Sequence, residues 1–354
     1  MKNSFVFRNL SRLFHSAPEV EIEDGHKIVI FSDLHMGNGR SRDDFRDNAE
    51  MFSYVLKHFY LPKNYRLILN GDIEELQKFP LRAITENHNS LYELFEEFSN
   101  KGYLCKTLGN HDFRLIHKKR YRFHSLLLPA LKLRYGQETL FIFHGHQASF
   151  FQEKYSTVIG FFLRLIAKPL GIKNYATAYS SRKQFNIEKK VFDFANKNKI
   201  ITAIGHTHRP LFESLSKVES LKFKIEDLIR QYTAVENEEK EKIEAAIVSY
   251  KNELLDYYRQ HDSLAIKTGL YDAGLAIPNL FNSGCGIGKR GITALEISDR
   301  KIFLVYWSHQ DKTKEYLKHY DRKPERLGHS DYFRLVLNDE KLDYVFSKMK
   351  LLSH

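Results

Sequence analysis

The sequence predicts an α/β fold carrying a helical cap and an inserted helical hairpin, and three observations lead there. Short apolar runs rich in β-branched residues end abruptly in small or polar clusters, as buried strands do where they enter loops. Amphipathic helical patterns separate the first of these runs. In the second half, apolar residues recur at alternating spacings of three and four, the stripe of a long paired helix.

The strand-like runs are Ile28–Phe31, Leu67–Leu69, Leu104–Leu108, Leu140–Phe143 and Ile200–Ile204. Between the first three lie Phe45–Phe59 and Leu91–Phe98, patterned as helices. Val218, Leu221, Ile225, Leu228, Tyr232 and Val235 then step by 3, 4, 3, 4 and 3 residues. A second stripe, Ile243, Ile247, Tyr250, Leu254 and Tyr257, follows the charged stretch 236–242, so residues 214–262 are expected to form an antiparallel hairpin. Such a hairpin packs on itself in the simplest case, with oligomerisation through it as the alternative. Leu280–Gly286, Ile292–Ile297 and Lys301–Trp307 read as closing strands, with Asp299-Arg300 as a tight turn. The expected organisation is an N-terminal extension (1–26), a main domain (27–309) that includes a cap (147–199) and the hairpin, and a basic, Tyr-rich helical tail (310–354).

The 354 residues include 55 Lys+Arg against 44 Asp+Glu, a formal net charge of +11, and 42% hydrophobic residues, enough for a sizeable core. The longest strongly apolar stretch, 158–167, holds Arg164 and falls short of the roughly 20 residues a membrane span needs. Arg8, Arg12 and His15 interrupt the first residues, so no secretory signal is expected. Cys105 and Cys285 stand in no CxxC spacing. These features predict a cytoplasmic protein, with peripheral contact at the inner face of the membrane as a further expectation. A positive surface attracts phosphates, nucleic acid and anionic head groups alike. No dense Lys/Arg run interleaved with aromatics marks a strand-binding groove, so nucleic acid is not the expected partner.

Five strand ends run straight into metal-ligand residue types: Asp33-Leu-His35, Gly71-Asp72, Gly109-Asn110-His111-Asp112, His144-Gly-His146 and Gly205-His206-Thr-His208. Carboxylate, amide and imidazole donors without a thiolate suit Mn²⁺, Fe or Zn²⁺ better than Ca²⁺. Asp33, His35, Asp72, Asn110, His144, His206 and His208 are too many donors for one tetrahedral ion, and all sit at carboxyl ends of strands, where open α/β sheets gather their functional groups. A two-metal site is the economical reading. Gly71, Gly109, Gly145 and Gly205 are expected to re-aim the ligands, through positive φ or close backbone approach. His144 and His146 flank Gly145 and either could reach a metal, with the strand-end position favouring His144. Gly286-Ile-Gly288-Lys-Arg-Gly291 matches GxGxxG, but it precedes a β-like run rather than a helix and fails the structural context of a dinucleotide site.

The ordered set D-x-H, GD, GNH[DE], H and GHxH resembles the calcineurin-like metallophosphoesterase superfamily over residues 28–210. Asn282-Ser-Gly284 resembles the N-[ST]-G signature that closes this core, which extends the likeness to residue 307. The resemblance implies a four-layer αββα sandwich. It implies that Asp33, His35 and His208 hold one divalent ion, that Asn110, His144 and His206 hold the second, and that Asp72 bridges them. Mn²⁺ is the expected metal, with Fe or Zn²⁺ as alternatives. His111 would be the catalytic histidine, with Asp112 as its orienting partner and His146 close behind the ligands. Two cations about 3.5 to 4 Å apart acidify a shared water and clamp phosphoryl oxygens during in-line displacement, so a phosphoester or pyrophosphate bond would be cleaved by hydroxide.

The layout, with a lid after the fourth motif and Gly205-His-Thr-His-Arg-Pro210 beyond it, is similar to bacterial UDP-2,3-diacylglucosamine pyrophosphatases of lipid A synthesis. Those enzymes have Gly-Asn-Arg-Asp where residues 109–112 stand and lack a comparable 214–262 hairpin. The segment between His146 and Gly205 carries Arg164, Lys168, Lys173, Arg182 and Lys183 among many aromatics. Such a cap suits an anionic substrate with an apolar part, a phosphorylated small molecule or a lipid-linked one. A catalytically silent scaffold would show damaged ligand positions, and none is damaged here.

Overall fold

The computed structural model describes residues 2–149, 181–215, 217–232, 237–260, 277–288, 291–309 and 323–353. Most of the expected cap, with Arg164, Lys168 and Lys173, lies outside the described residues. Helix α1 (Lys2–Ser16) and strand β1 (Glu19–Glu21) lead to β2 (Lys27–Phe31) and to α2 (Arg46–Val55), which runs on through a π turn. Then come β3 (Tyr65–Asn70), α3 (Leu81–Asn87), α4 (Asn89–Asn100), β4 (Leu104–Thr107), β5 (Leu127–Leu128), β6 (Leu131–Tyr135) and β7 (Glu138–Ile142). The second half holds α5 (Ser181–Asn198), β8 (Ile201–Ile204), α6 (Lys217–Tyr232), α7 (Asn237–Gln260), β9 (Leu280–Asn282), β10 (Gly291–Ser298) and β11 (Lys301–His309). Strands β12 (Glu325–Arg326) and β13 (Tyr332–Lys341) and helix α8 (Leu342–Leu352) complete it.

Two sheets form, in the orders β1-β6-β7-β8-β9 and β12-β13-β11-β10-β2-β3-β4-β5. Successive side chains of a strand point to opposite faces, and this alternation sorts the apolar residues into three cores. Ile28 and Ile30 of β2 and Ile68 of β3 meet Leu133, Leu140, Ile142 and Ile201 between the sheets. Val29, Phe31, Leu67 and Leu69 point the other way, onto Phe52, Val55, Leu91, Phe95 and Phe98 of α2 and α4. Beyond the smaller sheet, Phe141, Phe143 and Ile204 pack against Val6 and Leu10 of α1 and Val191 and Phe194 of α5. Helix, sheet, sheet, helix is the αββα sandwich. The central parallel strands are apolar along their length because both of their faces are covered.

The C-terminal segment departs from the expected helical tail. Among its described residues only Leu342–Leu352 is helical, whereas β13 pairs antiparallel with β11 at the edge of the larger sheet. A buried polar knot fixes it there. Glu296 of β10 accepts from Tyr60 Oη (2.6 Å) and Arg334 Nε (3.1 Å), and Trp307 Nε1 donates to Tyr60 Oη (2.8 Å). The N-terminal residues are likewise part of the sandwich, since β1 pairs parallel with β6 and α1 covers the smaller sheet. Helices α6 and α7 pack together, Tyr232 donating to Glu244 (2.5 Å), and Lys224 reaches Asn338 of β13 (3.2 Å). Among the described residues no helix is long and apolar enough to cross a membrane.

Candidate metal centre

Parallel pairing aligns the carboxyl ends of β2, β3 and β4 in one sheet and of β7, β8 and β9 in the other, and the loops leaving them converge. The loops after β2 and β3 stay zipped past the strand ends, Asp33 N donating to Gly71 O and His35 N to Asp72 O. Three overlapping groups of side chains result: Asp33, His35 and His208; His35, Glu75 and His111; and Asp72, His144 and His206. His208 Nε2 lies 3.0 Å from Asp33 Oδ1, and His144 Nε2 lies 3.1 Å from Asp72 Oδ2. The groups are close to each other, since His35 Nε2 stands 3.9 Å from Asp72 Oδ2 and His144 Nε2 stands 3.9 Å from Asp33 Oδ1. Of the pair flanking Gly145, His144 stands in this cluster, while His146 is set back with its ring 5.5 Å from that of His144.

The backbone carries unusual strain. Asp33, His35, Asp72, His206 and His208 have φ of 53°, 49°, 53°, 65° and 55°, a left-handed region that residues with a side chain rarely occupy and that clusters at functional sites. The glycines beside them differ from one another in role. Gly71 and Gly145 take positive φ. Gly109 does not, but a Cβ there would stand 2.1 Å from Asp72 Oδ1, so its need is close approach.

The donor set fits divalent cations. Asn110 Oδ1 and His206 Nε2 are buried without a hydrogen-bond partner, and buried Asp33 Oδ1 and His144 Nε2 make no hydrogen bond of good geometry, although His208 Nε2 stands 3.0 Å from the first and Asp72 Oδ2 3.1 Å from the second. An unsatisfied buried polar atom costs about 1 to 3 kcal/mol, so such atoms gathered in one place demand a common explanation, and shared cations give one. Burial alone would raise the Asp33 carboxyl, yet His208 and His144 hold it far below the ordinary range, and His144 and His111 do the same for Asp72. Burial alone would lower His35 and His144, yet the surrounding carboxylates bring them up to about 10 and about 9. The hollow therefore attracts positive charge, whether protons or metal ions.

Beside this cluster stands a residue that no motif marks. Glu75, 2% exposed, accepts from His35 Nδ1 (3.1 Å) and from His111 Nδ1 (2.8 Å). Against the opposing effect of burial, these two bonds lower its carboxyl to about 2. One carboxylate thus orients a metal-site imidazole and the His111 ring together, and the signal for it was an acid three residues after Asp72. Asp112 does not orient His111 as expected. Its carboxylate accepts from Ile73 N (2.8 Å) and Gly109 N (2.7 Å), tying the β3 loop to the β4 loop, and burial raises it to about 6. His111 itself donates its backbone N–H to Asp72 Oδ1 (2.7 Å).

Helix α5, within the expected 147–199 cap, grips the loop that presents His206 and His208. Glu188, buried on α5, accepts from Thr207 Oγ1 (2.8 Å) and from Arg209 Nε (3.2 Å), while Gln184 Nε2 donates to Thr207 O (2.7 Å). From the other side Asn282 Nδ2, in the Asn282-Ser-Gly284 signature, donates to Thr207 Oγ1 (2.8 Å). The strained conformation of His206 and His208 is thus clamped on both flanks. Glu188→Ala is expected to weaken Mn²⁺ binding about 10- to 100-fold, the usual cost of losing a residue that orients ligands, and Glu188→Gln, which keeps an acceptor for Thr207, to recover part of it. Calorimetric titration of the metal-free protein with Mn²⁺ reads both, and equal affinity in all three proteins would refute the clamp.

Buried Asp, Asn and His donors at facing strand ends of an αββα sandwich define a metallophosphoesterase. Residues 26–212 match the family described as calcineurin-like phosphoesterase, and the chain belongs to that family. Two solved structures are similar to it. One, of a conserved uncharacterized protein from Streptococcus pneumoniae TIGR4 described as a predicted phosphoesterase, is 14% identical, with 81% of this chain and 91% of that chain covered and a TM-score of 0.30. The other, of a Vps29 single mutant from Entamoeba histolytica, is 10% identical, with 88% of this chain and 99% of that chain covered and a TM-score of 0.36. No curated protein matches the chain.

Proposed function

We propose that the chain is a hydrolase of phosphoester or pyrophosphate bonds that works with two divalent ions, Mn²⁺ foremost. Asp33, His35 and His208 would hold one, Asn110, His144 and His206 the other, and Asp72 both. The observation that carries this reading is the gathering of Asp33, His35 and His208 and of Asp72, His144 and His206, with buried atoms on Asp33, Asn110, His144 and His206 that form no hydrogen bond of good geometry. Bound there, the ions supply Lewis acidity, lowering the pKa of water and polarising phosphoryl oxygens.

The protein's own residues do the rest. Asp33 and Asp72 stay ionised in a site shielded from water. Glu75 occupies Nδ1 of His111, which leaves Nε2 toward the hollow, 3.9 Å from Asp72 Oδ2. From there it would stabilise charge on the phosphoryl oxygens or protonate the leaving oxygen. Burial pushes the Cys105 and Cys285 thiols up to about 12, so neither offers a thiolate nucleophile. A phosphorylated small molecule is the substrate class we favour. The lipid-linked UDP-sugar reading ranks below it because His111 stands where those enzymes carry Arg.

The test is parallel hydrolysis of a phosphomonoester, a phosphodiester and a UDP-sugar pyrophosphate, with Mn²⁺ and after chelation. Turnover of at least one, abolished by chelator and restored by Mn²⁺, is expected. No chelator-sensitive turnover on any of them, with metal loading verified by elemental analysis, would overturn the proposal.

A further inference from the structure

Strand β4 buries a lysine among apolar neighbours. Lys106 pairs with Leu69 of β3 and Leu127 of β5, and alternation puts its side chain on the same face as Leu104 and Leu108, in the core shared with α2 and α4. It is fully buried, and its Nζ donates to Oε2 of Glu74, also fully buried, at 2.7 Å. The other carboxylate oxygen accepts from Tyr92 Oη of α4 (2.9 Å) and from Tyr121 Oη (2.7 Å). Tyr121 belongs to the connection between β4 and β5 that also carries Asn110 and His111.

An ion pair is a poor way to stabilise a core. Taking two charges out of water offsets most of their attraction, and apolar residues of like volume often serve as well or better. A fully satisfied polar network does, however, hold the chain in one arrangement. What it holds here is the turn after β3. The backbone of that turn is zipped to the loop after β2, Met36 N donating to Ile73 O (2.8 Å) and Glu75 N to Met36 O (3.0 Å). Glu74 adds side-chain ties to β4, to α4 and to the loop of His111. Its neighbour Glu75 reaches Nδ1 of both His35 and His111. A shift of this turn would carry the Glu75 carboxylate away from both rings at once.

We propose that Glu74, held by Lys106, Tyr92 and Tyr121, is a positioning residue that aims Glu75 at His35 and His111. The consequence for cation binding, through His35, rests on the two-metal reading above, whereas the aim of Glu75 does not.

Exchanging the whole network for apolar residues of similar shape tests it: Glu74→Leu, Tyr92→Phe, Lys106→Met and Tyr121→Phe in one chain, so that no member is left buried without a partner. In metal-free protein labelled with ¹⁵N at histidine, the Nδ1–H protons of His35 and His111 report the bonds to Glu75. Their absence from His35→Gln and His111→Gln assigns them. The quadruple variant is expected to keep or exceed the thermal midpoint of the parent, while these protons exchange with water about tenfold faster or more. Mn²⁺, titrated calorimetrically, should bind it about 10- to 100-fold more weakly. Circular dichroism identifies failure to fold. Tyr121→Phe, which removes a single bond to Glu74, then decides, with exchange expected to rise about threefold or more. Exchange unmoved in a folded variant would overturn the proposal, and so would unchanged Mn²⁺ affinity of the quadruple variant where the parent binds Mn²⁺. Faster exchange when the parent binds no Mn²⁺ supports the anchor and counts against the two-metal reading, and Mn²⁺ binding by the parent with exchange unmoved does the reverse.

Discussion

Asp72→Asn is expected to lower kcat/KM roughly a thousandfold, because metal-ion stabilisation of the transition state is worth several kcal/mol and each 1.36 kcal/mol is a factor of ten. Asp72 sits at the centre of the cluster. Its Oδ2 is 3.1 Å from His144 Nε2 and 3.9 Å from both His35 Nε2 and His111 Nε2, and its Oδ1 accepts the backbone N–H of His111. An amide has nearly the same shape, so the fold should persist. If its oxygen keeps the bond to the His111 N–H, its NH₂ must face the imidazoles, where it donates instead of accepting and brings no negative charge. Both groups of ligands lose the charge they share, so the metal content should fall for two ions and not for one. Elemental analysis of the purified variant beside steady-state kinetics checks this. Full metal content with less than a tenfold loss of turnover would remove Asp72 from its central place.

The elements that carry the site were readable in the sequence because they are the most buried ones. Strands such as Lys27–Phe31 and Ile201–Ile204 are covered on both faces, so they stand out as short apolar runs, and the ligands follow within a few residues of their ends. Strand β6 was harder. Leu131, Leu133 and Tyr135 alternate with Lys132 and Arg134, a period-two signal, but a five-residue strand with charged residues on one side makes no apolar run. In β13 only Leu335 is fully buried, so its charged flanks outweighed the central apolar residues. The partner of His111 was not readable at all from local pattern. Asp112 is its neighbour in the chain, yet consecutive loop residues diverge, and the group that reaches His111 Nδ1 is Glu75, 36 positions away on another strand's loop. Nor could composition reveal that Asp33, His35, Asp72, His206 and His208, and not only the glycines beside them, take positive φ.

His111→Ala should lower kcat about 10²- to 10⁴-fold, the span of a lost general acid or charge-stabilising imidazole, with little change in KM. Two ions per chain should remain bound, because the proposed ligands are all still present. Loss of one ion instead would make His111 a ligand, a reading its grouping with His35 and Glu75 makes worth testing. Glu75→Gln separates the two services that Glu75 performs. If it acted only by orienting His111, the double variant would be no slower than His111→Ala, because the bond in question is already gone. Glu75 also holds His35 Nδ1 at 3.1 Å, so the double variant is expected to be about 10- to 100-fold slower still and to bind Mn²⁺ more weakly. Full additivity in the kinetics would mean that the His111 and Glu75 contributions are independent, and that would contradict the shared carboxylate as the device coupling His111 to His35.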